Sequence, residues 1–322
     1  MLALKPGHVG ECGTAPRRRR LLSIRLEDAG HIEKIWQTIY QLPYYRSGSV
    51  HMSAVSGIDM ALWDLQARHF GVPVHKLLGG CRDRVKAYAS TYPNMGGPEV
   101  YADHAAACKK RGYLHYKIHP YYFWDPATGE PDPGRPSHID WDIECCRAVR
   151  AAVGDDMVLS FDPWGTYRTY EEAVKVGREL EKLDFYWYEH PMNEYRVSAY
   201  EKLCAELDIP ILSPEIAAGS IYTRADWIRR GASDMSRIDV LRGGITGVSK
   251  MAGICEAFGV KCEIHMSGHA NLQILGATSE DVCEYYERGL LAPGALPGAS
   301  PRVEEEPRKG TRRGTALPIM DG

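Results

Sequence analysis

The chain has 322 residues, 44% of them hydrophobic, enough for one large folded unit or a large unit with a small companion. A net charge of −3 offers no basic surface for nucleic acid or an anionic membrane, and no apolar run approaches the roughly 20 residues that span a bilayer. Nine cysteines, an odd number without a CxxC pair, read as reduced thiols of a cytoplasmic protein, and MLALKPGHVGECG lacks the apolar stretch of a signal peptide.

In chain order, residues 1–30 resist assignment, and the run Arg17–Arg20 reads as a solvated face. Residues 31–78 read as helical. His31–Tyr40 spaces Ile32, Ile35, Trp36 and Ile39 along one helix face, and Ser53–Phe70 places Val55, Ile58, Leu62 and Leu65 on another. Gly71 suits a helix C-cap and Pro73 follows it. From about residue 85 short apolar runs alternate with amphipathic stretches. The runs are 85–91, 116–119, 157–162, 185–190, 210–215, 236–241, 261–265 and 282–286. Thr169 and Glu172 are spaced for a capping box at the start of one intervening helix. Eight strands separated by helix-length segments predict a parallel sheet with crossover helices, and eight such units favour a closed barrel.

The loop 120–138 is long, rich in Pro and Gly, and carries four consecutive aromatics, Tyr121–Trp124. It is either a lid or a surface excursion whose aromatics pack on a neighbouring subunit. No GxGxxG follows a strand and no Walker A motif occurs; Gly243-Gly244-Ile245-Thr246-Gly247 lacks both spacings, so nucleotide binding has no support.

Strands three, four and five each end in an acid: Asp162, Glu189 and Glu215, separated by 27 and 26 residues, one βα unit each. A barrel brings such residues together at its C-terminal mouth. Three clustered carboxylates repel unless a cation neutralises them, and Mg²⁺ is the natural hard ion for oxygen ligands. Asp239 follows Glu215 by 24 residues and His265 follows Asp239 by 26, so an aspartate on strand six can orient a histidine on strand seven. On strand two, Lys117 and His119 share the inward face. A buried lysine beside a metal is expected to have a lowered pKa and to serve as a base opposite His265. Glu284 on strand eight either donates to a substrate carboxylate or is structural. Together these groups suit removal of a proton α to a carboxylate, with a divalent cation stabilising the resulting dianion.

At these residues the chain resembles the mandelate racemase group of the enolase superfamily. Residues 54–80 (AVSGIDMALWDLQARHFGVPVHKLLGG) resemble that group's segment joining a capping domain to the barrel. The resemblance implies that Asp162, Glu189 and Glu215 are Mg²⁺ ligands and that Asp239 and His265 form a dyad. It makes Lys117 the first lysine of a Lys-x-Lys motif, and places Glu284, or alternatively Glu287, as the strand-eight glutamate. The fold it implies is α/β, a modified (β/α) TIM-type barrel with an α+β capping domain. The expected division is 1–84 for an incomplete cap and linker helix, 85–290 for the barrel, and 291–322 for a segment returning to the cap or disordered. Three departures stand out. His119 replaces the second lysine, the segment from Asp239 to the double glycine is one residue short, and His190 follows Glu189. Both ends look shortened, with GHVGECGTAP (7–16) like the tail of a cap sheet and PIMDG (318–322) like the start of a closing segment.

The activity expected is dehydration of a sugar acid to a 2-keto-3-deoxy acid. Racemisation, epimerisation or cycloisomerisation with the same residues is the alternative, and a truncated, non-catalytic barrel is the reading from another class. The expected partner is a small carboxylate, and the expected assembly a homo-oligomer.

Overall fold

A computed structural model describes residues 29–41, 48–119, 139–217, 220–291 and 302–304. The run Arg17–Arg20, the aromatic loop 120–138 and the segments 7–16 and 318–322 lie outside the described residues.

Helix α1 (Ile32–Gln41) buries Ile32, Ile35 and Trp36, the face its spacing predicts. The Trp36 indole N–H donates to the Gly243 carbonyl at 3.0 Å. Helix α2 (Ser49–Phe70) ends on Gly71 in the left-handed conformation (φ 70°), as a C-capping glycine does. Its buried face differs from the expected one. Met52, Val55, Ser56, Asp59 and Ala67 are buried, whereas Ile58 and Leu65 are 44% and 52% exposed. A polar contact turns the helix: the Asp59 carboxylate accepts from the Thr246 N–H (3.0 Å) and hydroxyl (2.6 Å). Trp63 Nε1 donates to the same hydroxyl at 2.9 Å. Gly244 (φ +68°) admits this approach, since a Cβ there would lie 2.5 Å from the Asp59 carboxylate. Apolar spacing carries no trace of such a contact. A short helix, α3 (Val74–Leu77), leads to the barrel.

Eight parallel strands form the barrel: β1 (Arg84–Thr91), β2 (His115–Ile118), β3 (Val158–Phe161), β4 (Trp187–Glu189), β5 (Ile211–Leu212), β6 (Met235–Ile238), β7 (Lys261–Ile264) and β8 (Tyr285–Leu291). They pair in the order β7-β6-β5-β4-β3-β2-β1-β8. Between β7 and β8 the ring closes mainly through a side chain. The Cys262 N–H donates to the Val282 carbonyl at 2.8 Å, and the buried Glu263 carboxylate accepts the N–H groups of Glu284 and Tyr285, each at 3.1 Å. A ninth strand, β9 (Arg302–Glu304), runs antiparallel to the start of β1.

The outer layer consists of α4 (Pro98–Lys110), α5 (Ile139–Val153), α6 (Tyr170–Lys182), α7 (Val197–Glu206), α8 (Ile221–Arg230), α9 (Gly244–Phe258) and α10 (His269–Ala277). The capping box at α6 is present, with Thr169 and Glu172 bonded reciprocally. Inside the barrel Tyr88, Trp187, Leu212, Met235 and Tyr285 form an apolar plug. The plug supports the charged layer that follows it along the strands. No helix among the described residues is long and apolar enough to cross a membrane.

Asp142 on α5 is buried with one donor, the Tyr167 hydroxyl at 2.6 Å, and its Oδ1 has no partner among the described residues. Burial pushes its carboxyl up to about 8, against the opposing Tyr167 hydrogen bond. Between the ordinary aspartate value and 8 the folded chain therefore holds a proton that the unfolded chain has lost. Stability from this group is full at acid pH and declines as pH rises through that window. Asp142→Asn is expected to flatten the fall in denaturation midpoint between pH 5 and 8, read by urea titration at each pH. An unchanged slope would exclude Asp142 as its source.

Candidate active site

The strands deliver their inward-facing polar residues to the C-terminal end of the barrel. Lys117 lies on β2, one residue before the strand ends, and His119 follows the strand; Asp162 follows β3, Glu189 ends β4, Asp239 follows β6 and His265 follows β7. All but His265 are buried.

Lys117 and Arg237 hold the centre. Lys117 Nζ lies 2.8 Å from Glu189 Oε2, 3.0 Å from Glu287 Oε1 and 3.4 Å from Asp162 Oδ2. Arg237 Nε lies 2.7 Å from Glu189 Oε1, and its Nη2 lies 2.6 Å from Glu287 Oε2 and 3.1 Å from the Tyr88 hydroxyl. The expectation of a lysine with a lowered pKa is corrected here. Burial and Arg237 push Lys117 down, but the carboxylates Glu189 and Glu287 prevail and hold its ammonium well above the usual range. Burial would raise the Glu287 carboxyl, but Lys117 and Arg237 hold it well below normal. At Glu189 burial outweighs Arg237 and Lys117, so that carboxyl is raised.

The rim carries the histidines. His119 Nδ1 donates to the Thr91 carbonyl at 2.9 Å, and its Nε2 meets Asp162 Oδ2 at 3.0 Å. His265 Nδ1 lies 3.0 Å from Asp239 Oδ2, the predicted dyad contact, while its Nε2 lies 3.0 Å from Glu215 Oε1. Burial opposes protonation of His265, but Glu215 and Asp239 raise it to about 9. His190 Nδ1 lies 2.5 Å from Glu215 Oε2. Burial likewise opposes protonation of His190, and Glu194 and Glu215 raise it to about 9. Between two histidines, and despite burial, Glu215 is held well below the usual carboxylate range. Burial raises Asp162 too, but Lys117 and His119 outweigh it and lower the carboxyl.

Donor atoms of Asp162, His190 and Glu215 lie within 4.8 Å of one another, a group able to hold a divalent ion. Glu189 faces Lys117 and Arg237, and Lys117 also reaches Asp162. Glu284 is outside the cluster. It precedes β8 at the N-terminal end of the barrel, where Oε2 accepts from the Tyr186 hydroxyl and Lys261 Nζ, both at 3.0 Å. Because β8 begins at Tyr285 and not at residue 282, Glu287 is the strand-eight acid that faces inward, and it also accepts from the Ser90 hydroxyl at 2.8 Å.

Two residues of the cluster had no place in the sequence-based set. Arg237 lies two positions before Asp239 on β6, so the two-residue period of a strand would have found it. His190 stood out in the sequence only as a departure, without a role: its φ of +40° turns the residue after β4 back toward Glu215, where an extended strand would point it away.

The sequence profile of enolase C-terminal domain-like proteins matches residues 100–304, and that of the mandelate racemase / muconate lactonizing enzyme N-terminal domain matches residues 22–79. Arabinonate dehydratase of Saccharolobus solfataricus is 30% identical over 275 residues, 81% of this chain and 68% of that protein. D-gluconate dehydratase of Thermoproteus tenax is 32% identical over 247 residues, 74% of this chain and 47% of that protein. The chain thus spans between about half and two thirds of these relatives' length. A crystal structure of D-glucarate dehydratase from Agrobacterium tumefaciens, complexed with magnesium, superposes with a TM-score of 0.74 at 37% identity, covering 86% of this chain and 73% of that one.

Proposed function

The chain belongs to the mandelate racemase / muconate lactonizing enzyme family of the enolase superfamily, and from that premise we propose that it dehydrates a sugar acid to a 2-keto-3-deoxy acid. The observation that carries this reading is the pairing of His119 on one side of the carboxylate cluster with the Asp239–His265 dyad on the other. The dehydratase relatives support the same reaction class.

The ion we propose is magnesium, the one named in the Agrobacterium structure. The donor set suits a divalent cation: buried carboxylates predominate, and Asp162, Glu215 and His190 already converge. Asp162 and Glu215 would hold it, with Glu189 and His190 as neighbouring donors. When bound, such an ion supplies positive charge against the two negative charges that develop on the substrate carboxylate.

The chain's own groups divide the proton work. Lys117, held as an ammonium, contributes charge and hydrogen bonds rather than proton removal. His119, its Nδ1–H tied to the Thr91 carbonyl, is the strand-two base that takes the α-proton through Nε2 once that nitrogen is released, unprotonated, from Asp162. His265, oriented by Asp239 through Nδ1, delivers its Nε2 proton to the β-hydroxyl, which leaves as water. The resulting enol becomes the keto acid in water. Protonation at the opposite face, without loss of hydroxyl, is the racemase or epimerase alternative. It is favoured by the placement of β2 and β7 on different sides of the barrel ring.

His265→Asn tests the division of labour. Keto acid formation from the turned-over sugar acid is expected to fall by about 10²–10⁴-fold, while exchange of the α-proton with D₂O persists from the His119 side. Keto acid formation unaffected by the substitution would remove His265 from the reaction.

A further inference from the structure

We infer that the helices α1 and α2, which lie outside the barrel, hold the Asp239–His265 dyad in its working geometry, with Asp59 as the main positioning residue. The inference rests on the reaction proposed above and names a residue that acts on it from a distance.

Three side chains of these helices grip one short stretch of chain, residues 243–246. Trp36 Nε1 donates to the Gly243 carbonyl at 3.0 Å. The buried Asp59 carboxylate accepts the Thr246 N–H at 3.0 Å and the Thr246 hydroxyl at 2.6 Å. That hydroxyl in turn accepts from Trp63 Nε1 at 2.9 Å, so it is fixed from both sides. Thr246 stands in the first turn of α9, where backbone N–H groups have no partner within the helix. The residue at the helix start, Gly243, has no side chain to cap it. Asp59 therefore caps α9 from another segment, and its negative charge suits that end of the helix.

The gripped stretch adjoins the dyad. Only Val240, Leu241 and Arg242 separate Asp239 from Gly243, and they form a single 3₁₀ turn. Asp239 is built into that turn. Its Oδ1 accepts the Leu241 N–H at 2.8 Å, and its carbonyl accepts the Arg242 N–H at 3.0 Å. Its Oδ2 faces His265 Nδ1 at 3.0 Å. The aspartate is thus held at one oxygen by the turn and orients the histidine with the other. A turn this short passes a displacement at Gly243 on to Leu241, and a carboxylate that follows Leu241 draws Oδ2 away from the ring. Arg242 also donates to the Glu215 carbonyl, a second anchor that keeps the turn in place when the grip is only weakened. Proton transfer is steep in geometry, so a small misplacement far from the chemistry lowers the rate while the fold persists.

The test uses the whole chain and two variants. Asp59→Asn sets an NH₂ group against one of the two Thr246 donors. Thr246→Val removes the hydroxyl but keeps the N–H, and serves if Asp59→Asn folds poorly. Circular dichroism fixes a temperature at which each variant is folded. Keto acid formation should fall on the order of tenfold, while α-proton exchange with D₂O from the His119 side does not fall. A residue that only supports the fold would depress both together. In a His265→Asn background Asp59→Asn should lower keto acid formation no further, because the group it acts through is gone. Independently of turnover, the His265 Nδ1–H proton resonance, assigned by its loss in His265→Asn, should be displaced in both variants. Keto acid formation equal to wild type in both variants overturns the inference, as does exchange that falls in step with it. If the wild-type chain turns over no sugar acid, the reaction reading fails and the resonance alone decides: displacement supports the positioning role, and an unmoved resonance overturns it.

Discussion

Replacing Arg237 with methionine is expected to remove turnover and to lower stability by about 3–5 kcal/mol, the usual cost of leaving a buried charge unpaired. Arg237 is fully buried and spans two carboxylates, Glu189 at 2.7 Å and Glu287 at 2.6 Å. Without it, Lys117 is left as the cation facing both Glu189 and Glu287. Methionine fills much of the volume and so isolates the charge effect from a cavity. For a domain of this size the loss corresponds to roughly 10 °C in Tm, read by calorimetry at neutral pH. The deficit should shrink on acidification. In the wild type Glu287 is depressed well below its usual value, so its stabilisation is present above the ordinary glutamate range and is lost as pH falls through the folded value. In the variant that depression is largely gone, leaving less to lose. A variant that melts within about a degree of wild type at neutral pH would show that Glu189 and Glu287 do not depend on Arg237.

Glu215→Gln is expected to abolish divalent ion binding and to reduce turnover by at least about 10³-fold, the scale of losing an electrostatic contribution of several kcal/mol. Glu215 is the residue on which the rim converges, with His190 at 2.5 Å and His265 at 3.0 Å. Glutamine keeps its shape but removes the charge that both histidines face. The fold should survive, because the backbone of Glu215 is held independently by Glu194 and Arg242. Calorimetric titration with Mg²⁺ and Mn²⁺, beside circular dichroism, checks both halves. Ion affinity within twofold of wild type would remove Glu215 from the ion site.

Much of this arrangement is legible in the sequence because it rests on two short periods. One βα unit recurs every 24 to 27 residues, which places Asp162, Glu189, Glu215, Asp239 and His265 on successive strands. The two-residue period of a strand aligns Lys117 with His119, and it aligns Arg237 with Asp239 just as well. What escaped depends on contacts between distant segments. The start of β8 follows from Glu263 capturing the N–H groups of Glu284 and Tyr285, and that shift exchanges Glu284 for Glu287 in the cluster. The orientation of α2 follows from Asp59 meeting Thr246, 187 positions away. The protonation of Lys117 follows from acids on β4 and β8. The turn that aims His190 at Glu215 is a backbone conformation that no side-chain pattern announces.

The central claim is proton abstraction next to a carboxylate at the mouth of this barrel, dependent on a divalent ion. The most direct measurement is incubation of the chain with a panel of sugar acids in D₂O, with and without Mg²⁺, followed by ¹H NMR of the α-position and assay for 2-keto acids. At least one substrate is expected to lose its α-proton signal only when the ion is present and to yield a 2-keto-3-deoxy product. Loss of signal without that product would move the reaction to racemisation or epimerisation. A folded chain that binds Mg²⁺ yet exchanges no α-proton of any sugar acid would contradict the claim.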